Sequence, residues 1–130
     1  MIDLPTLKTW IDKLGFRSEP EGPAVLRLHP PPSAAPLPPF YVQLGAHWVL
    51  LSMLPMLRPA ESRLPGMSLR LLAENRTMCV AKFARDEAGA VVLCAELPTE
   101  SLDESEVADA VERIAAYARS FREHVGLTPG

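Results

Sequence analysis

The stretch "MCVAKFARDEAGAVVLCAEL", Met78 to Leu97, decides the fold. Two runs of Val, Ala, Leu and Phe flank "DEAG", Asp86 to Gly89, a four-residue turn with its glycine last. Apolar runs on both sides of such a turn predict an antiparallel hairpin. With Arg85 set opposite Ala90, Cys79, Ala81 and Phe83 share a face with Val92, Cys94 and Glu96. Met78, Val80 and Ala84 then share the other with Val91, Leu93, Ala95 and Leu97.

Downstream lies "LDESEVADAVERIAAYARSFREHVG". Val107, Val111, Ile114, Ala118, Phe121 and Val125 recur at steps of four and three, which predicts an amphipathic helix of about 22 residues and about 33 Å. Asp103 and Glu106 have capping-box spacing. Carboxylates crowd the first half, Arg113, Arg119 and Arg122 occupy the second, and both suit the helix dipole. Gly126 ends the helix.

Upstream, "FYVQLGAHWVLLSML" predicts another hairpin, with Gly45-Ala46 as a two-residue turn and Gly45 at positive φ. Trp48, Leu50 and Leu54 fall on one face, Val49, Leu51 and Met53 on the other. "AVLRLH", Ala24 to His29, alternates as a strand. Leu7, Trp10, Ile11 and Leu14 form one stripe of a first helix capped by Asp3, with Pro5 in its first turn and Gly15 at its end. Pro55, Pro59 and Pro65 break the chain before a helix from Met67 to Glu74. There Met67, Leu69, Leu71 and Leu72 share a face and Asn75 acts as a left-handed terminator. The order α-β-β-β-α-β-β-α implies an α+β fold: an antiparallel five-stranded sheet with helices packed on it, one domain over residues 1–130.

"HPPPSAAPLPPF", His29 to Phe40, is half proline. Between two strands of one sheet, residues 30–39 read as a Pro-rich loop that stiffens a long connection. A polyproline ligand for a partner and a domain boundary are the alternatives. In the register above both faces of the sheet are largely apolar. Either helices and loops cover one face each, or another chain covers part of the second.

The chain has 130 residues, 48% hydrophobic and 22% charged, with net charge −3. Nothing in that balance indicates a nucleic-acid or membrane surface. The longest apolar run, "HWVLLSMLPML", is too short for a membrane span and contains Pro55. The N-terminus lacks the form of a secretion signal. Two cysteines imply a reduced, cytoplasmic protein, and the Ala, Arg and Pro usage suits a GC-rich bacterial genome. Cys79 and Cys94 read as buried thiols on neighbouring strands, without a zinc spacing, and the three histidines are scattered. No metal or cofactor is expected. The carboxylates between Glu96 and Asp109 read as solvated helix-favouring charge, and no nucleophile motif or phosphate loop is present.

The C-terminal half resembles the type III secretion chaperones (the CesT-like class) and the YbjN-type sensory-transduction domains. A Leu-rich helix ends near an asparagine (Leu69, Leu71, Leu72, Asn75), and a strand ends in an Asp-x-x-Gly turn (Phe83, Asp86, Gly89). The next strand finishes in "AELP", Ala95 to Pro98, and "SLDESEV" leads into the long last helix. The likeness covers about the last sixty residues; the first half agrees in element order, with a longer and richer proline stretch. The resemblance implies an α+β fold, frequent homodimers, no enzymatic activity, and binding of an extended or helical segment of another protein. The expected function is thus a non-enzymatic protein-binding module, chaperone-like or adaptor, homodimeric or bound to a larger partner protein, with Trp48, Leu50, Met53, Leu71 and Leu72 as partner contacts and helix or strand addition as the binding mode. The alternative is a small-molecule- or nucleotide-responsive regulator with Arg27, Lys82 and Glu96 lining a pocket.

Overall fold

The computed structural model describes residues 2–130. In chain order the elements are α1 (Leu4–Asp12), β1 (Arg17–Pro20), β2 (Val25–His29), β3 (Phe40–Leu44), β4 (Trp48–Leu57), α2 (Pro59–Ser62), α3 (Met67–Asn75), β5 (Lys82–Arg85), β6 (Val91–Pro98) and α4 (Glu104–His124). The strands form one antiparallel sheet in the order β1-β2-β3-β4-β6-β5. The α+β class thus holds, with six strands where the sequence predicts five. The additional strand, β1, is "RSEP"; it buries only Ser18 and has no apolar alternation to betray it. The one-turn α2 was likewise not predicted.

Both hairpin turns depart from the expected geometry. Arg85 pairs with Val91, not Ala90, so residues 87–89 form a three-residue loop closed by Asp86 N–H to the Ala90 carbonyl at 2.9 Å. Gly89 adopts φ 84°, as such loops require at their last position. The one-residue shift inverts the faces of β6. Val91, Leu93 and Ala95 join Phe83 in the core, while Val92, Cys94 and Glu96 join Lys82 and Ala84 outside. The sheet therefore does not have two equally apolar faces. In the first hairpin the Gly45 amide donates to Trp48 O at 2.8 Å, which centres the turn on Ala46-His47, and Gly45 has no positive φ. Pro55 lies inside β4 rather than ending it. β3 stops opposite Met53, so no ladder donor is needed from residue 55 on that side, and the β4–β6 register shifts between Met53 and Leu57.

The inner face carries the core. Leu26, Leu28, Val42, Val49, Leu51 and Met53 are buried beneath α1 and α4. From α4, Val107, Val111, Ile114, Ala118 and Phe121 bury the predicted stripe, with Phe121 4.9 Å from Phe83 between ring centroids. Asp103 caps α4 by accepting from Glu106 N–H at 2.8 Å, and that bond lowers the Asp103 carboxyl below the usual range. Residues 30–39 connect β2 to β3. They lie along α4 on the helical side of the sheet, where Arg119 Nη2 donates to Ala35 O at 3.1 Å. They do not cover the outer face.

Both sheet edges are blocked by side chains. On β1, Lys8 Nζ donates to the Ser18 carbonyl at 2.8 Å. On β5, the Asn75 amide stands in for a missing strand: Nδ2 donates to Phe83 O at 2.9 Å and Oδ1 accepts from Phe83 N–H at 2.7 Å. Asn75 is the last residue of α3, in helical conformation, so it is an edge clamp and not a left-handed terminator. Asn75→Leu keeps the branched shape, adds bulk and removes both bonds. We expect a loss of about 1–3 kcal/mol in urea unfolding and faster hydrogen exchange at the Phe83 amide.

Candidate partner-binding surface

The helix α3 is amphipathic in an unexpected way. Met67 and Leu71, four apart, are buried, whereas Leu69 and Leu72, three apart, are 74% and 66% exposed. The four do not share a face; at 100° per residue the second pair sits on the far flank from the first. Beside Leu72 a groove of about 170 Å³ runs between α3 and β5, floored by Leu71, Phe83 and Ala84 and ending at Arg85. A second hollow of about 670 Å³ continues from Arg85 past Asp86 and Arg63 to Leu54, Pro55 and Leu57. Arg85 joins the two: its guanidinium donates to Ser62 O, Ser68 Oγ and Gly89 O at 3.2, 3.0 and 3.0 Å.

Past the end of α3 the chain makes a tight turn. Val80 has φ 71°, a left-handed conformation that β-branched residues rarely adopt, and Ala81 N–H donates to Cys79 O at 2.8 Å across it. Tyr117 Oη accepts from Cys79 N–H at 3.0 Å, and Lys82 Nζ donates to the carbonyls of Asn75 and Met78. Val80 is exposed on this turn.

The outer face of the sheet is a different surface. One transverse row runs Glu19, Arg27, Tyr41, Ser52, Cys94, Lys82; the next runs Val25, Gln43, Leu50, Glu96; Trp48 stands opposite Pro98. The first row is mostly polar, with the Arg27 guanidinium 5.7 Å from the Tyr41 ring centroid. Trp48 is half exposed and Leu50 half-buried, lining a hollow with Gln43, Gly45 and Glu96.

The five predicted contacts therefore occupy three places. Trp48 and Leu50 lie together on the outer face. Leu71 and Leu72 lie at the α3 groove. Met53 is fully buried on the inner face, because strand parity sets it with Leu51 and opposite Leu50, so its side chain is core and offers no contact surface. Six residues of β6 separate the Trp48 row from Ala84 at the groove, about 20 Å. Leu69, 74% exposed, was missed. The i, i+3 pairing of Leu69 with Leu72, offset from Met67 and Leu71, was its signal.

Arg27, Lys82 and Glu96 do not converge on a pocket. Arg27 is on β2, four strands from Lys82 on β5, and the Lys82 ammonium is committed to the end of α3. The cysteines are free thiols and do not face each other. Cys79 is exposed before β5 begins, contrary to the expected buried strand position, and Cys94 is half-buried. Burial, with help from Glu96, pushes the Cys94 thiol up and so makes it a poor nucleophile. Among the described residues no three metal-ligating side chains cluster, and no helix is long and apolar enough to cross a membrane.

No family model matches this chain, and neither does any curated protein. Solved structures do. A chain of the heterodimeric complex ExoU-SpcU from the type III secretion system of Pseudomonas aeruginosa is 28% identical, with 95% of this chain and 93% of that chain covered and a TM-score of 0.58. YbjN of E. coli is 21% identical over the same shares, with a TM-score of 0.63. The chain has the type III secretion chaperone-like, YbjN-type fold that its C-terminal half resembles.

Proposed function

We propose that this chain is a non-enzymatic, single-domain protein-binding module of the cytoplasm, a chaperone-like or adaptor protein that holds a segment of a partner against α3 and its groove. One observation carries the reading: Leu72 rims an apolar groove and Leu69, three residues before it, faces solvent, on a short helix whose other leucine, Leu71, is in the core. Adjacent exposed leucines over an open apolar floor mark an interaction site. A structure of the same fold is a complex of two different proteins, which supports a protein partner. Strand addition is disfavoured, since Lys8 and Asn75 occupy backbone groups at the two edges. A helix or an irregular segment laid across α3 fits better. Trp48 and Leu50 offer a second, separate contact for a long segment.

Native co-purification tests this. Tagged protein expressed in its own host is expected to retain one protein at near-equal amounts, and that protein should rebind when both are purified. Recovery of the chain alone, monomeric by light scattering and without a partner, would refute the reading.

A further inference from the structure

Val80, at φ 71°, sits in the middle of a γ-turn closed by Ala81 N–H on Cys79 O at 2.8 Å. With a central φ of about +75° this is the rare, strained form of that turn, and a valine suits it poorly. The surroundings hold it there. From α4, Tyr117 Oη accepts from Cys79 N–H at 3.0 Å and donates to Cys79 O at 3.4 Å. Lys82 Nζ donates to Met78 O, and the Met78 side chain is buried. Strain of this kind persists only where neighbouring contacts impose it, and it gathers at switch segments.

The relaxed alternative lies in the register next to it. β5 has four residues against the eight of β6. Lys82 pairs with Cys94, so the ladder continues as Ala81 with Ala95 and Val80 with Glu96. Ala81 is buried like Phe83, whereas Val80 and Lys82 are exposed, so residues 80–83 already alternate as a strand does. Glu96 is set to receive them. Asn75 holds the outward backbone groups of Phe83, so Lys82 and Ala84 face β6, and their partners Cys94 and Val92 face β5. By alternation Glu96 directs its N–H and carbonyl the same way, into the lane ahead of β5, where no strand lies.

We infer that residues 79–81 are a two-position switch. In one position the strained turn starts β5 at Lys82; in the other Val80 relaxes to extended backbone and lengthens β5 by Val80 and Ala81 along β6. The lengthened form gains the Val80–Glu96 pair of ladder bonds, sheds the strain and gives valine the backbone it favours. It gives up the turn's own bond, the Tyr117 bonds and part of the Met78 burial, and these losses favour the turn. The chain is long enough for both. From Asn75 to Val80 it reaches up to about 17 Å, against about 10 Å along the strand from Phe83 to Val80, so α3 and its grip on Phe83 stay in place. Lengthening sets Val80 beside Glu96 in the outer-face row that holds Leu50. It thus adds an apolar residue next to the Trp48 hollow.

NMR relaxation dispersion tests the switch on the microsecond-to-millisecond scale. Exchange is expected at the amides of Val80, Ala81 and Glu96, towards a minor state whose Val80 Cα shift is that of a strand. Tyr117→Phe keeps the ring and removes the hydroxyl that holds the turn. It is expected to raise the minor population about fivefold, the effect of one net hydrogen bond. Val80→Gly accepts the positive φ and loses the preference for extended backbone. Exchange at Glu96 should therefore vanish in Val80→Gly, alone and combined with Tyr117→Phe. Exchange at Glu96 in Tyr117→Phe that is too sparse to detect in the wild type supports the switch equally. Flat dispersion at Glu96 in both the wild type and Tyr117→Phe overturns it, and so does exchange that persists unchanged in Val80→Gly.

Discussion

Arg122→Met will lower the unfolding free energy by about 3 kcal/mol, because it strands a carboxylate that the fold has taken out of water. Arg122 is 2% exposed and ties four parts of the chain together. From α4 its Nη1 donates to the Met56 carbonyl of β4 and to Glu61 Oε1, both at 3.1 Å. Nη2 donates to Glu61 Oε2 at 2.8 Å, and Nε donates to the Thr128 carbonyl in the C-terminal tail. Only a planar guanidinium satisfies that fork, so Arg122→Lys should recover little of the loss. The midpoint of thermal unfolding should fall by about 10 °C for a chain this size. Arg122→Met with Glu61→Leu should cost less than Arg122→Met alone, since no charge is then left unpaired. It should not reach wild type, because the Met56 and Thr128 carbonyls still lose their donor. A double variant as unstable as the single one would show that the ion pair is not what the single variant breaks.

The same pair fixes a pH signature. Burial pushes the Glu61 carboxyl up. The bonds from Arg122 and the Arg58 backbone amide, with both guanidinium charges, outweigh it and hold the group below the usual carboxylate range. A depressed folded value gives stability that is complete above the unfolded carboxylate value, about 4.3, and is lost as pH falls through the lower folded one. Without Arg122, burial acts on Glu61 with less opposition and the dependence weakens or reverses. The gap between wild type and Arg122→Met should therefore narrow below about pH 4 in urea titrations.

How much of this was legible in the sequence follows from where periodicity is unambiguous. The α4 stripe was readable because twenty residues of i, i+3, i+4 spacing admit one helix face. The hairpins were readable as elements, but their registers were not. A loop of three residues and a loop of four both accept "DEAG", and the difference of one residue moves Leu93 and Cys94 to opposite faces. That slip made the sheet look apolar on both sides and so gave it three of the five expected contacts, Trp48, Leu50 and Met53, beside Leu71 and Leu72 of α3. β1 was invisible because an edge strand needs only backbone pairing, and "RSEP" supplies it with one buried side chain. On α3 the nine residues hold four large apolar ones at spacings that suit two stripes, and only packing shows which is inside. The Arg122 network was beyond reach, since it joins positions 56, 61, 122 and 128 with no local motif.

Leu69→Asp with Leu72→Asp should weaken binding of the co-purified partner by about 100-fold or more while leaving stability nearly unchanged. The two halves of that expectation have separate causes. Both leucines are largely exposed in the free protein, so the folded state loses little packing, and substitutions of this kind usually stay within about 0.5 kcal/mol. In the complex each leucine that becomes buried contributes about 1.5–3 kcal/mol, and an aspartate in the same contact adds the cost of desolvating a charge. Loss of two such contacts exceeds about 2.8 kcal/mol, the equivalent of 100-fold in affinity. The control is Trp48→Ala on the outer face of the sheet, about 20 Å away along β6. It should change affinity by no more than a few-fold for a partner segment confined to α3. The opposite pattern, with binding indifferent to both leucines and abolished at Trp48, would assign the partner to the open sheet and leave the leucines as ordinary surface.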